Sequence, residues 1–176
     1  MTAPVFFERV CLIGVGLIGA SLARVLRRDG LAGHIAGCAR TEKTRETALA
    51  LGLIDSAYES PSEAARDADL VVICTPIGSY GAIGAAIAGA LKPGAIVSDV
   101  GSVKQAAIEA LAPQLPSEVT FVPAHPVAGT EHSGPEAGFA ELLPDAGASS
   151  RPRRELIRQR SNGCARCGSR PAWRSQ

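Results

Sequence analysis

The stretch Val10-Cys-Leu-Ile-Gly-Val-Gly-Leu-Ile-Gly19 decides how this chain folds. An apolar run ends at Ile13, three glycines follow in the spacing G-x-G-x-x-G, and an apolar helical pattern begins at Leu17. Apolar runs of this length are typical of buried strands, and glycine is common where the chain turns. The stretch therefore predicts a strand, a tight turn and a helix.

Each glycine has a physical role in such a turn. Gly14 lets the chain reverse, Gly16 lets the backbone approach a pyrophosphate, and Gly19 lets the helix pack closely on the strand. The phosphates are expected at the helix N-terminus, beside Leu17 and Ile18, where unpaired N–H groups and the helix dipole favour an anion. A packing turn without a ligand is the alternative, because glycine-rich turns are common. The position after a strand and before a helix favours dinucleotide binding.

Further apolar runs alternate with helical patterns along the rest of the chain. The predicted strands cover residues 34–38, 57–58, 69–74, 95–98 and 119–123, and the predicted helices cover 17–29, 42–51, 77–91 and 102–111, with a capped helix start at Ser60-Pro-Ser-Glu63. Strand and helix in alternation predict an α/β fold, a Rossmann-type, doubly wound, mostly parallel sheet. Ligands of such sheets bind at the carboxyl ends of the strands.

Composition and charge bear on whether the protein associates with a membrane and in which compartment it works. The formal net charge is +1, but residues 1–143 carry −5 (10 Lys and Arg against 15 Asp and Glu) and residues 144–176 carry +6 (8 Arg against two acids). No run is long enough to cross a membrane, so we expect no membrane association. Cys11 and Cys74 lie in apolar runs and are interpreted as small buried hydrophobes, which suits a reducing cytoplasm.

The end of the second predicted strand bears on the choice of cofactor. An acidic residue about 20 positions beyond the glycine turn favours NAD, and an arginine there favours the 2′-phosphate of NADP. The sequence has Ala39-Arg40-Thr41, with no acid before Glu42. We expect NADP, with NAD as the alternative, and we expect Arg40 to contact adenine or the phosphate and Thr41 to donate its hydroxyl. The alternative roles are a solvated charge for Arg40 and a helix N-cap for Thr41.

Two loops bring polar side chains to the carboxyl edge of the predicted sheet. His125 follows the last predicted strand, and imidazole can exchange a proton near pH 7, although a histidine at a strand end is often structural. Ser102 could orient this imidazole or contact the nicotinamide, or it could cap the helix that follows, together with Gln105. Lys104, Glu131 and His132 belong to the same loops and could equally face solvent.

Four segments together resemble the nucleotide-binding half of prephenate and arogenate dehydrogenases. They are Gly14-Val-Gly-Leu-Ile-Gly-Ala-Ser-Leu-Ala23, Thr75-Pro76, Ser98-Asp-Val-Gly-Ser-Val-Lys104 and His125-Pro-Val-Ala-Gly-Thr-Glu-His-Ser-Gly134. The resemblance covers residues 8 to about 142, and the last two segments are far more specific than the glycine turn. It implies that Thr75 and Pro76 belong to the cofactor site.

The resemblance implies an oxidative decarboxylation in tyrosine biosynthesis. Hydride leaves the ring carbon that bears the 4-hydroxyl of prephenate for the nicotinamide, CO2 departs, and the ring becomes aromatic. The residue matching the family's catalytic histidine is His125, which would take the hydrogen bond from that hydroxyl and then its proton. Ser102 would orient His125 and the cofactor, and Glu131 would shape or gate the substrate side. Another dehydrogenase of a small acid is disfavoured by the joint presence of the Ser102 and His125 motifs.

The family pattern stops after Glu141-Leu-Leu143. We therefore predict a nucleotide-binding domain at residues 1–142 and an Arg-rich tail at 143–176 that is disordered, apart from a short helix near 155–160, or read out of frame. In the family a helical domain follows, which pairs two subunits and forms part of the substrate cleft. Because the tail does not show the pattern of that domain, we expect no homodimer of this chain, weak cofactor binding and poor retention of substrate.

Two alternative functions have to be compared with the dehydrogenase, one for the tail and one for the whole chain. A basic tail could bind nucleic acid, with Cys164 and Cys167 as half of a zinc site, but a structural zinc site needs four ligands. We therefore expect neither a metal nor a nucleic-acid partner, and a small-molecule substrate, prephenate or arogenate. The alternative to an enzyme is a nonenzymatic nucleotide-binding fragment.

Overall fold

The structure, a computed structural model, describes residues 6–126 and 134–142. All of them lie in the compact unit Met1–Pro144. The predicted tail, with Cys164 and Cys167, lies outside the described residues, as do Glu131 and His132. The predicted boundary after residue 142 stays a prediction.

Six parallel strands form one sheet, in agreement with the predicted fold class. The strands are β1 (Phe7–Ile13), β2 (Ala32–Cys38), β3 (Ser56–Tyr58), β4 (Leu70–Ile73), β5 (Ile96–Asp99) and β6 (Thr120–Pro123). Their order is β3-β2-β1-β4-β5-β6, so the chain starts at the centre of the sheet and builds outward first to one edge and then to the other. This reversal of direction at β1 and β4 opens the crevice in which doubly wound folds bind their ligands.

Helices connect the strands, and most begin and end where the sequence predicts. They are α1 (Leu17–Arg28), α2 (Glu42–Ala50), α3 (Pro61–Ala65), α4 (Tyr80–Ile87) and α5 (Lys104–Leu111). α1 ends before Gly30 and α2 before Gly52, and both glycines have a positive φ, 62° and 64°. Glycine adopts this backbone conformation without a steric penalty, which is why it follows helices so often.

The predicted helix over residues 77–91 is broken in the structure. Only α4 is α-helical, and 3₁₀ turns precede it at Ile77–Ser79 and follow it at Ala88–Ala90. Glycines at 78 and 89 lie in these turns. Because glycine costs about 1 kcal/mol in a helix interior relative to alanine, the short α-helical segment is the physical outcome of a glycine-rich sequence.

Two apolar cores lie on opposite faces of the sheet. One packs α1 and α2 against β1 and β2 around Leu12, Val15 and Ile35, and the other packs α3, α4 and α5 against β1, β4 and β5 around Ile73 and other apolar side chains. Aliphatic residues make up most of both cores, as is typical of a parallel sheet covered by helices on both faces. Among the described residues, no helix is long and apolar enough to cross a membrane.

Candidate nucleotide and catalytic site

The glycine turn has the geometry that its spacing predicts. Gly14 has φ +98°, and a Cβ there would lie 2.9 Å from the carbonyl oxygen of Cys74. At Gly19 a Cβ would lie 2.1 Å from the carbonyl oxygen of Gly14. A Cβ at Gly16, by contrast, would meet nothing within 4 Å. Two glycines thus allow the backbone to pack closely on itself, and the third keeps open the space in front of α1.

The N-terminus of α1 faces this space. Gly16 is the N-cap with an extended backbone (φ −90°, ψ −157°), and no side chain caps the helix. The amide of Ala20 makes the first helical hydrogen bond, to the carbonyl of Gly16. The N–H groups of the first turn, which includes Leu17 and Ile18, thus lie before the first helical bond and point out of the helix. This arrangement suits an anion with several oxygens, such as a pyrophosphate.

The predicted Thr75-Pro76 segment borders the glycine turn. A Cβ at Gly14 would lie 2.9 Å from the side-chain methyl of Thr75. The hydroxyls of Thr75 and Ser79 are 2.8 Å apart, and the Ser79 hydroxyl donates to the carbonyl of Pro76 at 2.7 Å. Burial, with a smaller contribution from the Asp99 charge, raises the pKa of the neighbouring Cys74 to about 12. The thiol beside the turn is therefore neutral at physiological pH and would not repel a phosphate.

Arg40 and Thr41 lie at the carboxyl end of β2, where the adenosine half of a dinucleotide is expected. Arg40 is exposed. Thr41 is the N-cap of α2, and its hydroxyl accepts from the amide of Thr44 at 3.3 Å, which is the alternative role considered for it. Arg45 from α2 donates to the carbonyls of Ala39 and Arg40 at 2.7 and 3.1 Å. The backbone beneath Arg40 is thus held while its own side chain extends outward.

A buried carboxylate lies at the end of β5. Asp99 is fully buried, and its two oxygens accept from the Tyr80 hydroxyl at 3.3 Å, the Gly101 amide at 2.9 Å and the Ala124 amide at 3.2 Å. The Lys104 ammonium lies 3.0 Å from both oxygens. Burial, and next the Asp99 charge, raise the pKa of Tyr80 to about 12, so its hydroxyl keeps its proton and donates.

The roles of Asp99 and Tyr80 were not predicted from the sequence. The sequence contained one signal for Asp99, a carboxylate at the end of a predicted strand and two residues before a glycine. A Cβ at Gly101 would lie 3.0 Å from that carboxylate and 3.1 Å from the Tyr80 hydroxyl, so the glycine leaves room for both. The partners at positions 80, 104 and 124 are brought together only by the fold.

Ser102 and His125 lie at the same edge of the sheet. They follow β5 and β6, which are adjacent strands in which Asp99 pairs with Pro123, and both residues are exposed. Within the described ranges several hydrogen bonds of this edge run to Asp99, and none joins Ser102 to His125. The role of Ser102 in orienting His125 therefore stays a prediction.

The predicted N-cap at Ser102 is wrong. α5 begins at Lys104, its N-cap is Val103, and no side chain caps it. Gln105 donates to Glu109 at 2.8 Å instead of returning to the helix start. The reason lies in Asp99, because this carboxylate binds the Gly101 amide and the Lys104 ammonium and so determines the path of the loop. The Ser102 hydroxyl remains at the exposed side of the loop.

Comparison with protein families identifies this arrangement. A family model described as the nucleotide-binding domain of prephenate dehydrogenase matches residues 22–148. The cyclohexadienyl dehydrogenase of Zymomonas mobilis is 42% identical over 139 residues, covering 79% of this chain and 47% of the relative. The prephenate dehydrogenase of Bacillus subtilis is 31% identical over 140 residues, covering 79% and 38%. The chain thus spans less than half the length of these two relatives.

Solved structures share the fold. The prephenate dehydrogenase of A. aeolicus, in complex with hydroxyphenyl propionate and NAD+, superposes with a TM-score of 0.72 at 30% identity, covering 86% of this chain and 55% of that one. The arogenate dehydrogenase of Synechocystis superposes with a TM-score of 0.71 at 31% identity, covering 88% and 55%. The glycine turn, the parallel sheet and the matched family model together show that this chain belongs to the prephenate dehydrogenase family and carries its nucleotide-binding domain.

Proposed function

We propose that this chain is the nucleotide-binding part of a cytoplasmic NADP- or NAD-dependent dehydrogenase that oxidatively decarboxylates prephenate or arogenate, with NADP preferred. One observation carries the proposal. The glycine turn, with open space at Gly16, and the candidate acid–base residue His125 lie at the carboxyl edge of one sheet, in a chain of this family. Cofactor and reacting substrate have to meet at that edge.

The residues of the turn fit a dinucleotide. The space in front of Gly16 would be filled by any Cβ at that position, and the N-terminus of α1 supplies N–H donors to the same space. We assign the pyrophosphate to Gly14, Gly16, Leu17, Ile18 and Gly19. Thr75 and Pro76, which border the turn, are assigned to the inner half of the cofactor.

The bound cofactor would supply the hydride acceptor. On the protein side, His125 would accept the hydrogen bond of the substrate 4-hydroxyl and then its proton, because growing negative charge on that oxygen favours loss of the hydride from the same carbon. Ser102 would hold the imidazole in orientation, and Glu131 would shape the substrate side. Aromatisation of the ring with loss of CO2 drives the reaction forward.

The preference for NADP is tested by titration of the chain with NADPH and with NADH, followed by nucleotide fluorescence. An arginine–phosphate contact contributes about 1.5–3 kcal/mol, so Arg40→Ala should weaken NADPH binding by about tenfold or more and leave NADH binding within about twofold. Arg66→Ala is the matched control, because Arg66 is another exposed arginine at a distance from the turn. A tenfold preference of the unaltered chain for NADH would contradict the proposal.

The proposed reaction is tested by reduction of NADP+ or NAD+ in the presence of prephenate, and separately of arogenate. We expect His125→Asn to reduce turnover by about 100-fold or more, the usual contribution of a general base, while the Kd for the nucleotide stays unchanged. Unchanged turnover would refute the role of His125. Nucleotide binding without any substrate-dependent reduction would favour a nonenzymatic nucleotide-binding protein, in agreement with the partial coverage of the longer relatives.

A further inference from the structure

We propose that Asp99 and Lys104 form a positioning pair that fixes the backbone leading into His125. The pair lies where β5 ends, beside the end of β6. Asp99 is 0% exposed, whereas about a third of the Lys104 side chain is in contact with solvent. The carboxylate therefore forms a fixed point within the fold, and the ammonium extends from it toward the loop that carries His125.

Ala124 is held on both sides by this pair. Its amide donates to one carboxylate oxygen of Asp99 at 3.2 Å, and its carbonyl accepts from the Lys104 ammonium. That carbonyl belongs to the peptide group that joins Ala124 to His125. Because a peptide group is planar, holding the carbonyl also fixes the orientation of the amide at the start of His125.

Proline limits the backbone on either side of these contacts. Pro123 has a fixed φ as the last residue of β6, and Pro126 restricts His125 to extended conformations. The side-chain hydroxyl of Ser98 adds a further tie, donating to the carbonyl of Val122 at 2.8 Å. His125 is therefore exposed as a side chain but follows a backbone held at several successive positions.

The arrangement differs from an ordinary structural ion pair. At the amino end of β4, Asp69 accepts from the Arg9 amide at 2.8 Å and from the Lys92 ammonium at 2.7 Å. Like Asp99, it joins a backbone N–H to a lysine. That pair is partly exposed and lies at the amino edge, away from the glycine turn. It offers a matched control of the same chemistry without a contact to the loop of His125.

A buried carboxylate is costly to maintain, so its full set of partners is informative. Desolvation of an ion pair often cancels the attraction between its charges, and apolar residues can replace such pairs without loss of stability. Asp99 accepts one hydrogen bond from the Ala124 amide and binds the lysine that donates the other to the Ala124 carbonyl. We infer that the pair serves the geometry of this loop. The catalytic meaning of the inference rests on the function proposed for His125, whereas the positioning itself does not.

The test uses nuclear magnetic resonance of the full chain without nucleotide or substrate. Three variants are compared with the unaltered protein: Asp99→Asn, Lys104→Gln and the control Asp69→Asn. The first readout is amide hydrogen exchange of Ala124 relative to Val97 in the neighbouring strand. The second is the backbone amide and imidazole signal of His125, assigned with the aid of His125→Gln among the chain's three histidines.

We expect Asp99→Asn and Lys104→Gln to speed amide exchange at Ala124 about tenfold or more relative to Val97. The reason is that losing a hydrogen bond to a charged group corresponds to a change of about tenfold or more in the local opening equilibrium. Both should shift the His125 signals, and Asp69→Asn should shift neither readout. If Asp99→Asn does not fold, Lys104→Gln decides, because its side chain is partly exposed.

Unchanged exchange and unchanged His125 signals in Lys104→Gln would overturn the proposal. Equal effects of Asp69→Asn would also overturn it, because the change would then reflect overall stability. Neither readout depends on nucleotide or substrate turnover. A failure of the prephenate assay would therefore refute the proposed function and leave this result intact.

Discussion

Gly19 and Gly16 are two glycines of one turn with opposite structural roles. Gly19 packs against the carbonyl of Gly14, where an added Cβ would come within 2.1 Å, and Gly16 borders open space. The first glycine is therefore required by the folded chain itself. The second is required only when another molecule occupies the space.

This difference predicts that alanine has separate effects at the two positions. Gly19→Ala should lower the free energy of unfolding by about 1–3 kcal/mol or more, as overpacking does. Gly16→Ala should change it by less than about 1 kcal/mol, since its extended backbone suits alanine. Gly16→Ala should instead weaken nucleotide binding about tenfold or more, because the methyl group enters the pyrophosphate space.

Urea denaturation and nucleotide titration of the two variants check this prediction. Gly89→Ala serves as the control for the loss of a glycine, because a Cβ there also meets nothing within 4 Å and the position lies in a turn after α4. Normal nucleotide affinity of Gly16→Ala would show that the cofactor does not approach this backbone.

At this scale the sequence predicted the close packing at Gly14 and Gly19 correctly, the pyrophosphate role of Gly16 stays a prediction, and the role of Asp99 was not predicted. The roles of the turn follow from local spacing, so residues 14 to 19 suffice to infer them. Asp99 acquires its role from residues 19 positions before it and 25 positions after it. No local pattern specifies such a set of contacts, and for the same reason the predicted cap at Ser102 was wrong.

Among the elements, α1 borders the expected nucleotide site and also contacts the segment 134–142. Ser21 is fully buried in α1, and its hydroxyl donates to the carbonyl of Leu17 at 2.8 Å and accepts from the Phe139 amide at 3.1 Å. Gly138 lies so close that a Cβ there would come within 2.5 Å of the side chain of Ala20. The segment 134–142 is thus attached to the helix that begins the site.

Ser21→Ala should loosen this attachment. The substitution removes the acceptor of the Phe139 amide, and an unpaired donor in a partly buried place costs about 1–3 kcal/mol. We expect the amide of Phe139 to exchange hydrogen about tenfold faster, measured relative to Leu12 in the central strand.

A serine elsewhere provides the comparison for that variant. Ser56→Ala removes a hydroxyl that lies 2.9 Å from the ring of His34 and should leave the Phe139 amide unaffected. If Phe139 exchanged at the same rate with and without Ser21, the attachment of this segment would depend on apolar packing alone. The partners are 118 positions apart, which explains why the sequence did not predict the contact.

For the whole molecule, three thiols among the described residues link stability to pH, Cys74 described above together with Cys11 and Cys38. Cys11 and Cys38 are 0% and 5% exposed, and burial raises the pKa of Cys38 to about 11 and that of Cys11 still further. In the unfolded chain a thiol ionises near pH 8.5. The folded state therefore holds more protons than the unfolded state above that pH, and the free energy of unfolding falls as the pH rises from about 8.5 toward 11.

Urea denaturation at several pH values between about 8 and 10.5 measures this effect, which is expected to reach roughly 1 kcal/mol per pH unit for each thiol. Cys11→Ala should make the fall of the unfolding free energy with pH less steep by the contribution of one thiol, roughly 1 kcal/mol per pH unit. The other titrating groups are common to both proteins, so the comparison isolates Cys11. The same slope in both would mean that this thiol does not contribute.

The order of strands and helices was predictable because each element satisfies its own pattern. Apolar runs gave the strands, and positive-φ glycines at 30 and 52 ended two helices as expected. The contacts between elements followed only from the three-dimensional structure, and the interior glycines of residues 77–91 broke a helix that periodicity alone would continue.

The central place of β1 also bears on the order in which the protein is made. A ribosome releases β1 first, yet one side of this strand stays bare until Leu70 to Ile73 have been synthesised, because β4 is its second neighbour. A nascent chain that pauses earlier presents an apolar strand edge to chaperones. β5 and β6 then add one after the other at the far edge, so the backbone around His125 joins a sheet whose other strands are already available.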